Sequence, residues 1–397
     1  MECIIEFCSD EYQRRLRLLS QAQSERYENT LENYKKIFLA HYKNIIVKCA
    51  DGKCSNRTPC QHITKVLKKT KIDKIEAFFD GLIEVYMEWI NANSITSINH
   101  MEKLLKSYKL LDNNSAEDMM ELYFKGRVTS EVLTSWDMFH IPFNKRYLIN
   151  NQRYSLTGQP LMYIGSSILD VMEELDIDRV GELKISAIQI PKGINLYDLR
   201  NNIYEELNKV QTEMMLSTTG YTFKETFLYR VILASVCSFQ KRQELKNYSF
   251  CEEYVLPQIL AQIVKNNRYE GIIYYSTKRF DNLKLETKDL SYKENIALFT
   301  MTNADHVYDR DLYNRLKISV PIDKSKIEKI TSKDIEEVKK EIGKMKNQGK
   351  ISQAETMISS FKRIYEELEI DGTKYCDTDA GQLHMYHLFA TLNQILM

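Results

Sequence analysis

Between Met138 and Ile177 the chain sets out basic, aromatic and acidic residues in an order suited to a dinucleotide-like ligand. Arg146 and Arg153 are available for anionic groups, Tyr154 and Tyr163 for stacking, and Glu174 supplies a carboxylate on a helix that follows a strand. A guanidinium fork matches phosphate oxygens, and an aromatic face takes a flat heterocycle. A carboxylate steadies the positive charge that develops when a glycosidic bond breaks. Without further support the same residues read as solvated arginines and core tyrosines.

A second constellation lies upstream. Cys49, Cys54, Cys60 and His62 offer four ligands within fourteen residues, enough to close a tetrahedral zinc site, although the C-x4-C-x5-C-x-H spacing is irregular. The plain alternative is free thiols in a loop. The chain holds eight cysteines, five of them (with Cys3 and Cys8) in the first sixty residues, which points to reduced thiols or a metal rather than a disulfide framework. Arg57 and His62 fit the loose R-x4-6-H pattern of HEPN ribonucleases, but Pro59 between them argues against the helix that pattern requires. GxSxG, HExxH and a GxGxxG after a strand are absent. The nearest approach to a phosphate loop, Gly343 to Ile351, has one residue too many and Ile where Ser or Thr must hold magnesium. Serine hydrolase, zincin and P-loop NTPase chemistry are therefore disfavoured.

These residues need elements to hold them. From Asp10 to about Leu111 apolar residues recur at helical spacing, as in Ile75, Phe78, Phe79, Leu82, Ile83 and Tyr86, and only the turn-rich stretch Cys49 to His62 interrupts them. A boundary is expected near Asp112 to Ser115. Beyond it, strands are expected from Leu122, over Pro160 to Ile164, over Ile185 to Ile190 and over Gly271 to Ser276. Ser166 or Ser167 caps a helix whose apolar positions are Ile168, Val171, Met172 and Leu175, with Glu174 at the margin of that face. From about Pro321 the chain is rich in Lys and Glu, and Phe361, Ile364, Tyr365 and Leu368 form one amphipathic stripe, so two or three helices are expected to the end.

The order of these pieces resembles the RES domain family: Arg153-Tyr154, the turn Gly158-x-Pro160, the strand end Tyr163-Ile164-Gly165-Ser166-Ser167 and Glu174 on the following helix. The resemblance spans roughly residues 119–305. Upstream, Leu122 to Arg127 resembles the family's opening strand. Downstream, Ile194 to Leu199, Glu253 to Gln258, Gly271 to Thr277 and Asn295 to Phe299 resemble later segments. The N-terminal region also resembles the helical HEPN-type domain found before some RES domains. The implied plan is α+β: a HEPN-like helical domain over 1–115 with the Cys/His cluster, an ADP-ribosyltransferase-like RES domain over 119–305 and a helical segment over 306–397.

The resemblance implies that the chain binds NAD+ as substrate and breaks its nicotinamide–ribose bond, by phosphorolysis or hydrolysis, as a bacterial toxin or phage-defence effector. Glu174 and Tyr163 would act at the ribose, and Lys125, Arg127 and Arg153 on the phosphates. Tyr154 would stack, and Tyr254, Gln258, Ser276 and Asn295 complete the expected NAD-binding set. Aligning on Gly126-Arg127 puts Lys125 where the family carries Arg, and a lysine cannot fork two phosphate oxygens. A protein ADP-ribosyltransferase and a HEPN ribonuclease with an inert RES domain stand as alternatives. An antitoxin or regulatory protein and a homo-oligomer are left open as partners.

Composition sets the outer bounds. The 397 residues carry 55 Lys+Arg against 55 Asp+Glu, so a protein devoted to coating nucleic acid or an anionic membrane is disfavoured. With 43% hydrophobic residues the chain has ample apolar surface for a core. No signal peptide opens it and the longest apolar run, around Val231 to Cys237, is too short to span a bilayer, so a cytoplasmic location is expected.

Overall fold

The computed structural model describes residues 3–51, 57–112, 114–116, 119, 122–216, 222–242, 250–278, 283–285, 293–302, 307–331, 334, 336–337, 340, 368–370 and 372–396. Two compact units interleave along the chain: residues 1–115, 150–158 and 196–277 form the first, and 116–149, 159–195 and 278–397 the second.

In the first unit, α1 (Ile4–Phe7), α2 (Asp10–Ala22), α3 (Tyr27–Ala50), α4 (Arg57–Leu67), α5 (Ile72–Ile90) and α6 (Ser94–Ser107) make the expected helical region. The stripe on α5 turns inward as its spacing requires, with Ile75, Phe78, Phe79, Leu82 and Tyr86 buried; Val85 joins them and Ile83 is only half-buried. Phe38 of α3 fills the centre, 4.9 Å from Phe7 and 5.2 Å from Phe79 between ring centroids.

Pro59 does not prevent a helix. It lies in the first turn of α4, where an N–H has no intrahelical partner to lose, so Arg57 and His62 share that helix after all. The same unit adds the parallel strand pair β4 (Leu196–Asp198) and β5 (Gly271–Tyr275), with Leu196 opposite Gly271. Three helices complete it: α8 (Ile203–Leu216), α9 (Thr226–Val236) and α10 (Val255–Asn266). Tyr197 and Tyr269 donate to the Leu110 and Leu111 carbonyls at 3.0 and 2.9 Å, tying the end of the helical region to the later elements.

The second unit is built on antiparallel strands: β1 (Tyr123–Val128), β2 (Leu161–Gly165), β3 (Leu183–Gln189), β7 (Glu294–Phe299) and β8 (Lys317–Ile318), in the order β7-β2-β1-β3-β8. A smaller antiparallel sheet joins β6 (Leu283–Leu285), β9 (Leu368–Ile370) and β10 (Thr373–Lys374). Helices α7 (Ile168–Glu174), α11 (Arg310–Arg315) and α12 (Asp379–Leu396) complete the described elements.

Among the described residues of 306–397 the short strands β8, β9 and β10 lie beside the helices α11 and α12. Leu368 pairs in β9, and the rest of the stripe expected from Phe361 to Tyr365 lies outside the described residues. Helix α12 is the helix of that region with the apolar length to close a core. Leu383, Met385 and Leu388 pack with Phe124 and Ile185 of the sheet and with Ile168, Val171 and Met172 of α7. No helix among the described residues is long and apolar enough to cross a membrane.

Helix α12 also buries two histidines against Phe124, His384 at 4.6 Å and His387 at 5.9 Å between ring centroids, with the Tyr375 hydroxyl 3.4 Å from His384 Nδ1. Burial holds both in the neutral form, pushing His384 down to about 3 and His387 to about 4, with each ring's charge further opposed in His384 by its neighbour. An unfolded chain takes up protons at these residues near pH 6.5, whereas the folded chain does not until about pH 4. Stability is therefore expected to fall as pH drops from about 6.5 towards 4, by about 1.4 kcal/mol per pH unit for each histidine well inside that window. Urea midpoints measured from pH 7 to 4.5 check this, and a flat profile would count against the burial of α12.

Candidate functional site

Strand β2 and helix α7 position the carboxylate picked out by the sequence. Ser167 is the N-cap of α7, its hydroxyl accepting from Asp170 N at 3.0 Å, while Ser166 turns back and its hydroxyl accepts from Glu294 N at 3.0 Å. Gly165 sits between, and a Cβ there would press on the Asp170 and Asn295 side chains, so the close approach of strand to helix needs glycine. The helix lasts seven residues and stops at Glu174, leaving Leu175 as an exposed C-cap rather than a core position. Lys278 closes that end, its Nζ donating to the Glu173 carbonyl at 2.7 Å and to the Glu174 carbonyl at 3.0 Å, where a cation also suits the helix dipole. The Glu174 carboxylate is exposed, and Asn295 Nδ2 donates to its Oε1 at 3.1 Å.

Register decides which candidates share a face. Gly165 lies opposite both Phe124 and Asn295, and Tyr163 lies opposite Ala297. Side chains alternate along a strand, so Tyr163, Asn295 and α7 with Glu174 occupy one face of the sheet. Lys125 and Arg127 occupy the other face, with Tyr123, whose hydroxyl donates to Glu294 at 3.3 Å. There Lys125 Nζ donates to the Phe139 carbonyl at 2.9 Å and Arg127 to the Asp137 carbonyl at 3.0 Å, so both fasten the segment that leaves the sheet after β1. Burial, with Arg127 beside it, pushes the Lys125 ammonium down to about 8. His140, in the same segment, accepts from Asp309 N at 2.9 Å through Nε2 and meets the Ile141 carbonyl at 2.7 Å through Nδ1, which places the proton on Nδ1 and assigns it a structural task.

The remaining ligand candidates lie in the first unit. Arg153 donates through Nη1 to the Cys237 and Phe239 carbonyls at 2.9 and 3.0 Å and through Nη2 to Thr277 Oγ1 at 3.0 Å, and its guanidinium lies 4.9 Å above the Tyr254 ring. Tyr154 is buried against Tyr274, 4.5 Å between centroids. Gln258 donates to the Gln152 and Ser155 carbonyls at 2.7 and 3.1 Å. Ser276 is buried. Arg153 and Gln258 thus hold the 150–158 segment in place.

Cys49, Cys60 and His62, the described members of the cysteine cluster, do not come together as a metal site. Among the described residues no group of three or more His, Cys, Asp or Glu is placed to hold a metal ion. Cys49 Sγ instead accepts from Ile4 N at 3.4 Å, and Cys60 is buried two residues, or about 200° of helix, before the half-buried His62. Cys54 lies outside the described residues.

One contributor near Glu174, Lys278, escaped the sequence reading, and Asn295, expected as an NAD-binding residue, makes a bond to Glu174 that the sequence did not announce. Lys278 is more than a hundred residues from the carbonyls it clamps and carries no motif. The hydrogen bond from Asn295 to Glu174 depends on β7 lying beside β2, a long-range pairing that no local pattern announces.

No family model matches the chain, and no solved structure matches it. Over 212 residues it is 30% identical to a curated protein of Bacillus subtilis (strain 168) named "Putative toxin YopC". The match covers 51% of this chain and 46% of that protein, so the chain spans about half the length of the relative it matches.

Proposed function

We propose that the chain is a toxin that cleaves the nicotinamide–ribose bond of NAD+. The observation that carries this reading is the exposed Glu174 carboxylate, held by Asn295 and clamped at its helix end by Lys278, on the sheet face that also bears Tyr163. The relative's name supports the toxin part, and the RES resemblance of the sequence supports the substrate.

Nicotinamide leaves as a neutral molecule, taking the electron pair of the C–N bond, and the ribose becomes oxocarbenium-like. A fixed carboxylate close to C1 stabilises that charge more in the transition state than in the ground state. Water or inorganic phosphate then adds at C1. Asn295 keeps the carboxylate from turning away, and Tyr163 lies on the same face of the sheet.

Incubating the purified protein with NAD+, with and without phosphate, and identifying products by mass tests this. ADP-ribose means hydrolysis, ADP-ribose-1″-phosphate means phosphorolysis, and modified protein means ADP-ribosyl transfer. Unchanged NAD+ under all conditions would refute the proposal. An antitoxin or regulatory protein belongs to the same reading as the natural restraint on such an activity.

The sheet register gives a prediction for the two basic residues of β1. Turned away from Glu174, Lys125 and Arg127 are expected to govern the segment they fasten, so the Lys125→Ala/Arg127→Ala double variant should speed hydrogen exchange over residues 129–149. The KM for NAD+ should rise less than about threefold, well below the tenfold or more that losing a charge-assisted phosphate contact brings. A tenfold rise in KM would return both residues to the substrate pocket.

A second reading gains from one observation: Arg57 and His62 lie on the same helix, as the HEPN ribonuclease pattern demands. If His62→Ala abolishes toxicity while Glu174→Gln leaves it intact, the ribonuclease reading replaces the first.

A further inference from the structure

The segment after β1 and the turn around α11 together build a surface with an excess of positive charge. Phe143 N donates to the Val307 carbonyl at 2.8 Å, Trp136 stacks on Tyr313 with 3.5 Å between centroids, and Tyr308 lies 5.2 Å from Trp136. This aromatic packing makes one continuous patch of the two segments. Residues 125–149 and 307–317 hold seven Lys and Arg (Lys125, Arg127, Lys145, Arg146, Arg310, Arg315, Lys317) against four Asp and Glu (Glu131, Asp137, Asp309, Asp311), an excess of three in a chain whose overall charge is zero.

Two of the four carboxylates already serve the backbone. Asp137 accepts from Thr134 N at 2.8 Å, and Asp309 accepts from Met301 N at 2.7 Å and Leu312 N at 3.0 Å. Among the described residues none of Arg127, Lys145, Arg146 and Arg310 forms a close ion pair, Arg127 and Lys145 acting on the Asp137 carboxylate only at longer range, although the same unit pairs Lys184 with Asp323 at 3.1 Å. Beside these cations stand exposed apolar side chains: Tyr147 is 79% exposed, Leu148 55% and Val307 46%. A short helical turn, Phe143–Leu148, projects Tyr147 and Leu148, and the Arg146 guanidinium lies 5.3 Å above the Phe143 ring.

We propose that this surface docks an acidic protein segment carrying apolar anchor residues. Unpaired cations ringing exposed apolar side chains complement carboxylates flanking hydrophobic anchors, which steer the approach while the anchors supply the burial. Nucleic acid is the poorer fit. Its backbone would answer the cations and leave Leu148 and Val307 against water or phosphate, and single-strand binders stack successive bases on several open rings, whereas here Tyr147 is exposed but Trp136 is covered by Tyr313. The proposal is independent of the NAD+ reading, because none of Lys145, Arg146, Tyr147 and Leu148 is placed at the Glu174 face.

Selection of a random peptide display library on the full-length protein tests it, with Lys145→Glu/Arg146→Glu and Tyr147→Ala/Leu148→Ala as comparison proteins. All four side chains are solvent-facing or half so, and circular dichroism establishes that each variant keeps its fold. Enriched peptides are expected to be rich in Asp and Glu around apolar anchors, and to lose at least tenfold in affinity for each variant. No enrichment, enrichment without acidic bias, or affinity unchanged by the charge reversal would overturn the proposal. Tighter binding of a single-stranded oligonucleotide than of the best peptide, or a wild-type self-association abolished by both variants, would reassign the surface to nucleic acid or to a second copy and equally overturn it.

Discussion

Glu174→Gln is expected to lower NAD+ cleavage at least a hundredfold with the fold intact. Hundredfold corresponds to about 2.7 kcal/mol of transition-state stabilisation, the size seen when one group aimed at developing charge is removed. The amide keeps the shape and can still meet Asn295, which donates to Oε1 at 3.1 Å, so the loss reports charge rather than collapse. The side chain is exposed, and its removal as a charge leaves no buried group unsatisfied. Glu173 provides the control. It projects about 100° away around α7, and Glu173→Gln should retain most of the activity. Measuring kcat and KM for both separates the cases; equal losses, or none from Glu174→Gln, would remove Glu174 from the chemistry.

The largest effect on stability is expected from a single methyl group at Gly381. Helix α12 begins against the turn Tyr375–Asp377, its Gly381 N donating to Thr378 Oγ1 at 3.1 Å while the Thr378 hydroxyl donates to the Tyr375 carbonyl at 2.7 Å. A Cβ on Gly381 would overlap the Tyr375 carbonyl oxygen, a backbone atom with no rotamer to yield. Alanine favours a helix over glycine by about 1 kcal/mol, but forcing the helix off its seat costs about 3 kcal/mol or more, and the clash wins. Tyr375, His384 and the core layer of Leu383 and Met385 would shift with it. Gly381→Ala should therefore lower the urea midpoint markedly, and stability at or above wild type would mean that α12 does not rest on that turn.

Local chemistry made much of this legible. The strands at Tyr123, Leu161, Leu183 and Gly271 begin within two residues of their expected positions, because β-rich runs bounded by turn residues need no distant partner to be recognised. Ser167 and the stripe of α7 were equally plain. Pro59 misled because its cost depends on whether it falls in a first turn, which the sequence does not mark. Leu368 misled because three residues of strand inside a charged run carry no usable period. Tyr163 and Lys125 were readable as strand residues but not as residents of opposite faces, since that follows from pairing Phe124 with Gly165 across about forty positions of chain.

The interleaved division of the chain governs the order in which it can be made. The polypeptide passes between the two units at residues 115, 149, 158, 195 and 277. At a synthesis rate of about 5–20 residues per second, the helices of 1–115 wait roughly ten to thirty seconds before residue 277 completes their unit. The second unit waits longer still, because Leu383 and Leu388 of its core are among the last residues translated of those described. Glu174 thus emerges from the ribosome long before the α12 layer that steadies its helix, and folding resembles tying off a seam rather than adding beads. Cutting the gene at the crossing after 149, 158 or 195 would leave both units short of a strand or helix, and neither half should fold on its own, whereas a cut after 115 or 277 keeps one unit whole.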